Sequence, residues 1–433
     1  MKTPAQAAES DQTEVPERTA ESLLDGVRVL ELGNYIAAPT AGRLLADFGA
    51  TVIKIERPGT GDELRRWRLY QGDTSLLFRT INRNKKSVSL DLSTPAGRDV
   101  VLQLVEHSDV LIENFRPGTL ERWGLGPEAL QSRNPDLVLC RISAFGQTGP
   151  MANQPGFAAV AEGYGGMRAL VGEPDRPPAR VGVSIGDSIA GIYAAFGAVM
   201  QLFDRQRSNM SDNRTGPQAG ELRHIDVALS EAIFSVMESL VPDYEAFGVT
   251  RERLGGRVEG IAPSNAYACR DGGSVIIAGN SDSIFARFMR LIGRTDLAEA
   301  SDLRDNAGRW ARRDELDEAI ATWTSARSAV SVLAALAAAQ VPAGPIYTAA
   351  EIARDPQFLS RNMIQKFSVS TGDEVLTDVG FPGIVPLVGP VSAPVRALGP
   401  ELGEHTFEVL KGILGMSEAD IALLTEGSTE NAQ

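Results

Sequence analysis

The stretch VRVLELGNYIAAPTAGRLLADFGATVIKI, residues 27–55, decides the fold. Residues 27–32 are a short run rich in Val and Leu and predict a strand. Pro39 opens a helical stretch reaching Phe48, with Leu44 and Leu45 on its apolar stripe, and residues 51–55 predict a second strand. Two strands joined through one helix make a β-α-β unit, which is right-handed with its strands parallel. The pattern recurs downstream. Thr94 and Pro95 start a helix reaching Glu106, residues 110–112 read as a buried strand, and residues 137–142 read as another after an intervening helix. The fold class expected is therefore α/β, with a doubly wound, Rossmann-like large domain.

Working outward, residues 1–22 are polar and acidic and read as a disordered leader, and residues 23–204 as the first part of the large domain. Residues 205–224 crowd Ser, Asn, Asp, Gly, Pro and Gln together and predict a linker. A smaller α/β domain follows over residues 225–340, with a strand at 274–278 after the Asp271-Gly272 turn and alanine-rich helices over 310–340. The run Val341, Pro342, Ala343, Gly344, Pro345 marks the return to the large domain, residues 341–433. Both chain ends thus build one domain around an insert.

Bulk composition narrows the function. The 433 residues carry 42 Lys plus Arg against 56 Asp plus Glu, a formal charge of -14, which argues against a nucleic-acid or anionic-membrane partner. The two cysteines, Cys140 and Cys269, lie in apolar strand-like runs and predict reduced thiols. No uninterrupted apolar span near 20 residues is present, and the leader lacks the basic and apolar regions of a signal peptide, so the expectation is a soluble cytoplasmic protein.

The first strand-to-helix turn, Gly33 to Pro39, lacks the spaced glycines that let a backbone approach a pyrophosphate, which argues against a dinucleotide enzyme. Only His107, His224 and His405 occur, scattered and without metal-ligand spacing, so no metal site is expected. A serine nucleophile wants a glycine-flanked elbow, and Ser143-Ala144-Phe145-Gly146 fits that poorly. Carboxylate chemistry remains. Asp187 stands between Gly186 and Ser188 at the head of a run, 189–200, that is apolar on every face and reads as a buried helix. Such an acid serves either as a helix cap or as a nucleophile already ionised at neutral pH, and the residues leave both open. Basic groups recur near strand ends at Arg57, Lys85, Lys86, Arg116 and Arg122, which suggests a polyanionic ligand.

The segments Leu24 to Glu31, Val52 to Glu56 with Gly59 and Gly61-Asp62, Asn82 to Ser87, Glu113 to Gly118, Gly186-Asp187 and Leu402 to His405 together resemble the class III CoA-transferases, also called the carnitine dehydratase and bile-acid-inducible family. The likeness runs over residues 23–425 in the family's order and spacing. It implies that Asp187 attacks a donor thioester to form a mixed anhydride, and that CoA returns to give an aspartyl-CoA thioester before the acceptor acid takes CoA. It also implies CoA contacts at Ile36, Ala37, Arg57, Asn84, Lys85, Asn114, Phe115 and Arg122. CoA and acyl-CoA are then substrates, with no permanently bound cofactor, and the chain forms an interlocked homodimer.

Departures refine the resemblance. The glycine-rich loop of oxalate-using members is absent, its nearest counterpart being Gly255-Gly256, and Ser143 stands where those members carry lysine. The segments Pro242-Asp243-Tyr244-Glu245 and Ile261-Ala262-Pro263-Ser264-Asn265 look like the branch that moves CoA from succinyl-CoA to malate, citramalate, itaconate or hydroxymethylglutarate. A second carboxylate needs a cation, and Arg251, Arg253 and Arg257 are the candidates. Two alternatives are an α-methylacyl-CoA racemase-like enzyme, whose histidine position holds Phe157 here, and a non-catalytic CoA-binding paralogue.

Overall fold

The structure is a computed structural model that describes residues 23–68, 70–72, 74–210, 223–389 and 392–426; the expected leader and most of the expected linker lie outside them. Six strands form the central sheet: β1 (Arg28–Glu31), β2 (Thr51–Glu56), β3 (Lys85–Ser89), β4 (Val110–Glu113), β5 (Val138–Ser143) and β6 (Arg223–Ala228), in the order β3-β2-β1-β4-β5-β6. The pairs β1 with β2, β2 with β3, β1 with β4 and β4 with β5 are parallel. The chain winds outward from β1 in both directions, so the order reverses between β1 and β4, and ligands of such sheets bind outside the strand carboxyl ends at that reversal.

Helix α1 (Ala37–Asp47) connects β1 to β2 and begins two positions before the Pro39 expected to open it, since a proline in the first turn forfeits no intrahelical bond. Its buried face is made of small residues, Ala37, Ala38, Ala41, Gly42 and Ala46, with Leu45. A side chain at Gly42 would start 1.9 Å from the Glu31 carboxylate, so helix and strand approach closely there only because Gly42 has none. Helix α2 (Pro95–Glu106) is capped by the Thr94 hydroxyl, which accepts from the Gly97 amide at 3.1 Å. Its Val100, Val101, Leu104 and Val105 join Leu30, Ile53, Leu111 and Leu139 of the sheet and Val409 and Leu410 near the C-terminus in one core cluster. Cys140 and Cys269 are both buried, and neither forms a disulfide among the described residues.

The described residues fall into two compact units, one drawn from the ranges 1–141, 194–225 and 361–433 and the other from 142–193 and 226–360. These units divide within one residue of the boundary expected at 225, and elsewhere at points other than the expected 204 and 341. Helix α3 (Ala158–Tyr164), followed by the short α4 (Met167–Leu170), pairs with helix α6 (Leu229–Phe234), which draws 142–193 into the second unit. The return is also later than expected. Residues Ala343–Pro345 hydrogen-bond to Val275, Ile276 and Ile277 as an edge strand of the second unit's three-stranded sheet.

Helix α5 (Ile185–Met210) starts in the second unit, continues into the first, and runs through residues 205–210 that were expected to be linker. It is not the fully buried helix its apolar run predicts. Ala190, Ala194, Ala195 and Ala198 face inward, whereas Ile192, Phe196, Met200 and Phe203 are each half exposed or more. Small residues pack and large ones project because helix periodicity puts positions four apart on one face. Ile185–Ser208 is also, among the described residues, the one helix long and apolar enough to cross a membrane, 39% of its apolar window being buried.

Candidate active site

At the sheet's reversal, the loops after β1 and β4 are tied to each other. The Asn34 amide donates to Asn114 Oδ1 at 2.9 Å, and Asn114 Nδ2 donates back to the Asn34 carbonyl at 2.8 Å. Gly33 sits inside this knot, where a Cβ would lie 2.3 Å from Ala38 Cβ and 2.8 Å from Asn114 Oδ1. Beneath it lies Lys54, with no exposed surface, whose ammonium meets Glu31 Oε1 at 3.0 Å, Asp62 Oδ2 at 2.8 Å and the Gly33 carbonyl at 2.7 Å. Burial alone would lower the Lys54 pKa, but the Asp62, Glu31 and Glu56 carboxylates outweigh it and hold the ammonium above the ordinary lysine value. Asp62 Oδ1 in turn accepts from the Tyr35 amide at 3.0 Å, fixing Tyr35 at φ 64°. On the β4 side, Glu113 accepts from the Phe115 amide and from Arg141 Nε, both at 2.7 Å. Burial pushes its carboxyl up to about 7, against the pull of Arg141.

Ile36 and Ala37 begin α1 at this edge, Asn114 and Phe115 follow β4, and Arg57 follows β2, exposed and acting electrostatically on the Tyr35 phenol. Among the described residues Arg57 pairs with no carboxylate, while Arg122 is exposed and donates to Thr119 Oγ1 at 2.9 Å. Asn84 and Lys85 are different. They stand at the amino end of β3, and both side chains are committed to the fold. Asn84 Nδ2 donates to Asp47 at 2.8 Å, and its Oδ1 accepts from the Arg396 amide at 2.9 Å and the Ala397 amide at 3.1 Å. The Lys85 ammonium is buried on Glu31 Oε2, the Pro39 carbonyl and Asn82 Oδ1, and burial lowers its pKa to about 8. As placed, neither side chain is available to a CoA phosphate.

In the second unit, Asp187 is the third residue of α5 rather than its cap. The Ser184 carbonyl accepts from the Ser188 amide at 3.1 Å, so Ser184 holds the capping position. The Asp187 carboxylate makes no hydrogen bond or ion pair among the described residues. Burial first and the Glu162 carboxylate second, opposed by Arg180, together raise its pKa to about 6. Gly186 before it packs against Ala158 and Ile233, whose atoms lie 3.4 and 3.5 Å from where a Cβ would stand. An ionised, unpaired and partly desolvated carboxylate is equipped for nucleophilic attack on an activated acyl group.

The three candidate arginines separate. Arg257 binds Asp317 Oδ2 at 2.7 Å and Asp314 at 2.8 Å, so it is already neutralised. Arg251 meets Asp243 at 3.2 Å and Glu238 at 3.5 Å. Only Arg253 lacks a carboxylate among the described residues: its Nε donates to the Glu173 carbonyl at 3.2 Å, where the Gly255 amide also reaches the Gly172 carbonyl at 3.1 Å.

Glu31, Lys54, Asp62, Glu113, Arg141, Glu162 and Arg180 have no role that the sequence alone assigns. A signal existed for the buried ones: Lys54 interrupts an apolar strand, and Glu31, Glu56 and Glu113 each end one. Charges at such positions must be paired or functional.

Comparison with known proteins then gives four findings. The profile of CoA-transferase family III matches residues 24–406. The chain is similar to the succinyl-CoA–D-citramalate CoA-transferase of Chloroflexus aurantiacus, 43% identical over 403 residues that cover 93% of this chain and 96% of that one. It is 38% identical to the beta subunit of the succinyl-CoA–L-malate CoA-transferase of the same organism, over 92% of this chain and 96% of that one. Among solved structures, a CaiB/BaiF family protein from Brucella suis superposes with a TM-score of 0.75 at 33% identity, covering 90% of this chain and 99% of that one.

Proposed function

This chain belongs to CoA-transferase family III, and from that premise we propose that it moves CoA from succinyl-CoA to a small dicarboxylic acid, with Asp187 as the covalent relay. The observation that carries the reading is the Asp187 carboxylate itself, unpaired among the described residues, more basic than an ordinary aspartate at about 6 and still mostly ionised at neutral pH. An Asp187 oxygen bonds to the thioester carbonyl carbon and the C–S bond breaks, the electron pair leaving with CoA sulfur. The thiolate then attacks the aspartyl carbonyl of the mixed anhydride and succinate departs. The acceptor carboxylate attacks the aspartyl-CoA thioester, and the released thiolate takes the acceptor's acyl group, restoring Asp187. Each step exchanges one activated acyl bond for another.

CoA is assigned to the edge where β1 and β4 part. Ile36, Ala37, Asn114 and Phe115 offer backbone and ring surfaces there, and the exposed Arg57 and Arg122 offer charge to phosphates. Arg253 is assigned to the distal carboxylate of the acid. The names of the Chloroflexus relatives, which act on D-citramalate and L-malate, support a four- or five-carbon hydroxy diacid as acceptor. A homodimer is favoured by the large apolar side chains that α5 leaves exposed, and a cytoplasmic setting by two buried cysteines that form no disulfide among the described residues. The racemase alternative lacks support, since Phe157, exposed at 65%, occupies the position of that enzyme's second base.

The deciding experiment incubates the protein with succinyl-CoA and a panel of dicarboxylic acids and reads new CoA esters by mass spectrometry. Transfer to one or more diacids is expected. Epimerised acyl-CoA without exchange, or binding without any product, overturns the reading.

A further inference from the structure

We propose that Glu162 is a positioning residue for Asp187: a fixed carboxylate in the wall beside the nucleophile that keeps it reactive and ceases to oppose it once Asp187 is acylated. The inference rests on the reading of Asp187 as the nucleophile. Glu162 lies in α3 and has no exposed surface. Its Oε2 accepts from Arg168 Nε at 2.8 Å, while its Oε1 is shut off from solvent and has no hydrogen-bond partner. A buried carboxylate oxygen without a donor is costly to keep, and such groups call for an explanation.

Placement supplies one. Ala158 and Glu162 are four residues apart in α3 and so share a face. The Ala158 Cβ lies 3.4 Å from where a side chain on Gly186 would begin, so that face runs beside the start of α5. From the other side α6 presents Ile233, which is apolar. The charged groups acting on Asp187 are then Glu162 from α3 and Arg180 from the preceding loop, and Arg168 compensates one oxygen of Glu162 alone.

Nucleophilic strength of a carboxylate rises with its basicity, and a like charge in a dry site raises basicity. When the Asp187 oxygen bonds to the acyl carbon, its charge passes to the departing CoA sulfur and the opposition from Glu162 ends. The interaction thus disfavours the free carboxylate more than the acylated state, which is differential stabilisation of the kind that raises turnover.

Glu162→Gln tests this, because it keeps the shape and the oxygen facing Arg168 while removing the charge. The pH dependence of kcat/KM for succinyl-CoA is compared with that of the unaltered protein, whose acid limb is expected at about 6. The variant's limb is expected to fall by about one unit and its kcat at pH 7.5 by about tenfold, with KM changed less than about twofold and the melting temperature held or raised. A limb that stays in place while melting temperature drops assigns Glu162 a structural role and overturns the proposal. Glu162→Met removes the same charge should the Gln variant misfold, and a limb near the ordinary aspartate value of about 4 in the unaltered protein also overturns it. Asp187→Ala is run alongside. Transfer by that variant defeats the nucleophile reading itself, whereas an inactive Asp187→Ala with an unmoved Glu162→Gln limb defeats only the present inference.

Discussion

Asn34 and Asn114, eighty positions apart in the chain, hold each other by two reciprocal hydrogen bonds of 2.9 and 2.8 Å across the point where the sheet changes direction. Each uses the other's side-chain amide or main chain so that neither loop is free to move alone. Asn114→Ala leaves the Asn34 amide and carbonyl without these partners, and a loss of about 1–3 kcal/mol is expected by thermal or denaturant unfolding. Weaker CoA binding by calorimetry is expected to accompany it. Unchanged affinity would detach this knot from the ligand crevice.

Asp187→Asn is expected to abolish transfer while stabilising the fold. The folded carboxyl titrates near 6 against an ordinary value of 3.8, so its stability contribution is fully present below about 3.8 and lost as pH rises through about 6. Above pH 7 the variant is expected to gain on the order of 2–3 kcal/mol over the unaltered protein, and below pH 4 the two should coincide. Unfolding curves at several pH values check the sign.

Two basic residues with the same expected ligand separate by environment. Arg57→Ala removes an exposed, uncompensated charge and is expected to raise KM for the CoA ester with little change in melting temperature. Lys85→Ala strands part of the buried Glu31 charge, and is expected to destabilise by roughly 3 kcal/mol or to prevent folding. The reverse pattern in a paired stability and kinetic measurement would reassign both.

Substrate charge is read most directly by comparing succinyl-CoA with butyryl-CoA, which has the same chain length and no second carboxylate. The unaltered protein is expected to prefer succinyl-CoA by about tenfold or more, and Arg253→Met to erase that preference, as loss of a charged hydrogen bond predicts. Arg257→Met is expected to destabilise the second unit instead, since it unpairs Asp314 and Asp317. A preference lost with Arg257 and retained without Arg253 would invert the assignment.

The sequence by itself determined the β-α-β unit of residues 27–55, the helix capped by Thr94 and the α/β class, and it singled out Asp187 as a candidate while leaving cap and nucleophile both open, because hydrophobic period, capping residues and residue type are local properties of the chain. Tertiary structure alone decided what each charge is for. Lys85 and Arg57 are both bases near strands, yet one is consumed by Glu31 and the other faces solvent. Arg251, Arg253 and Arg257 occur within seven residues, and only packing against Asp243, Glu173 and Asp317 tells them apart. Asp187 looks like a cap until Ser184 is found to hold that position, and its basicity depends on Glu162, twenty-five residues away in another helix. Coulomb interactions and desolvation depend on distance and burial in three dimensions, which no linear spacing encodes.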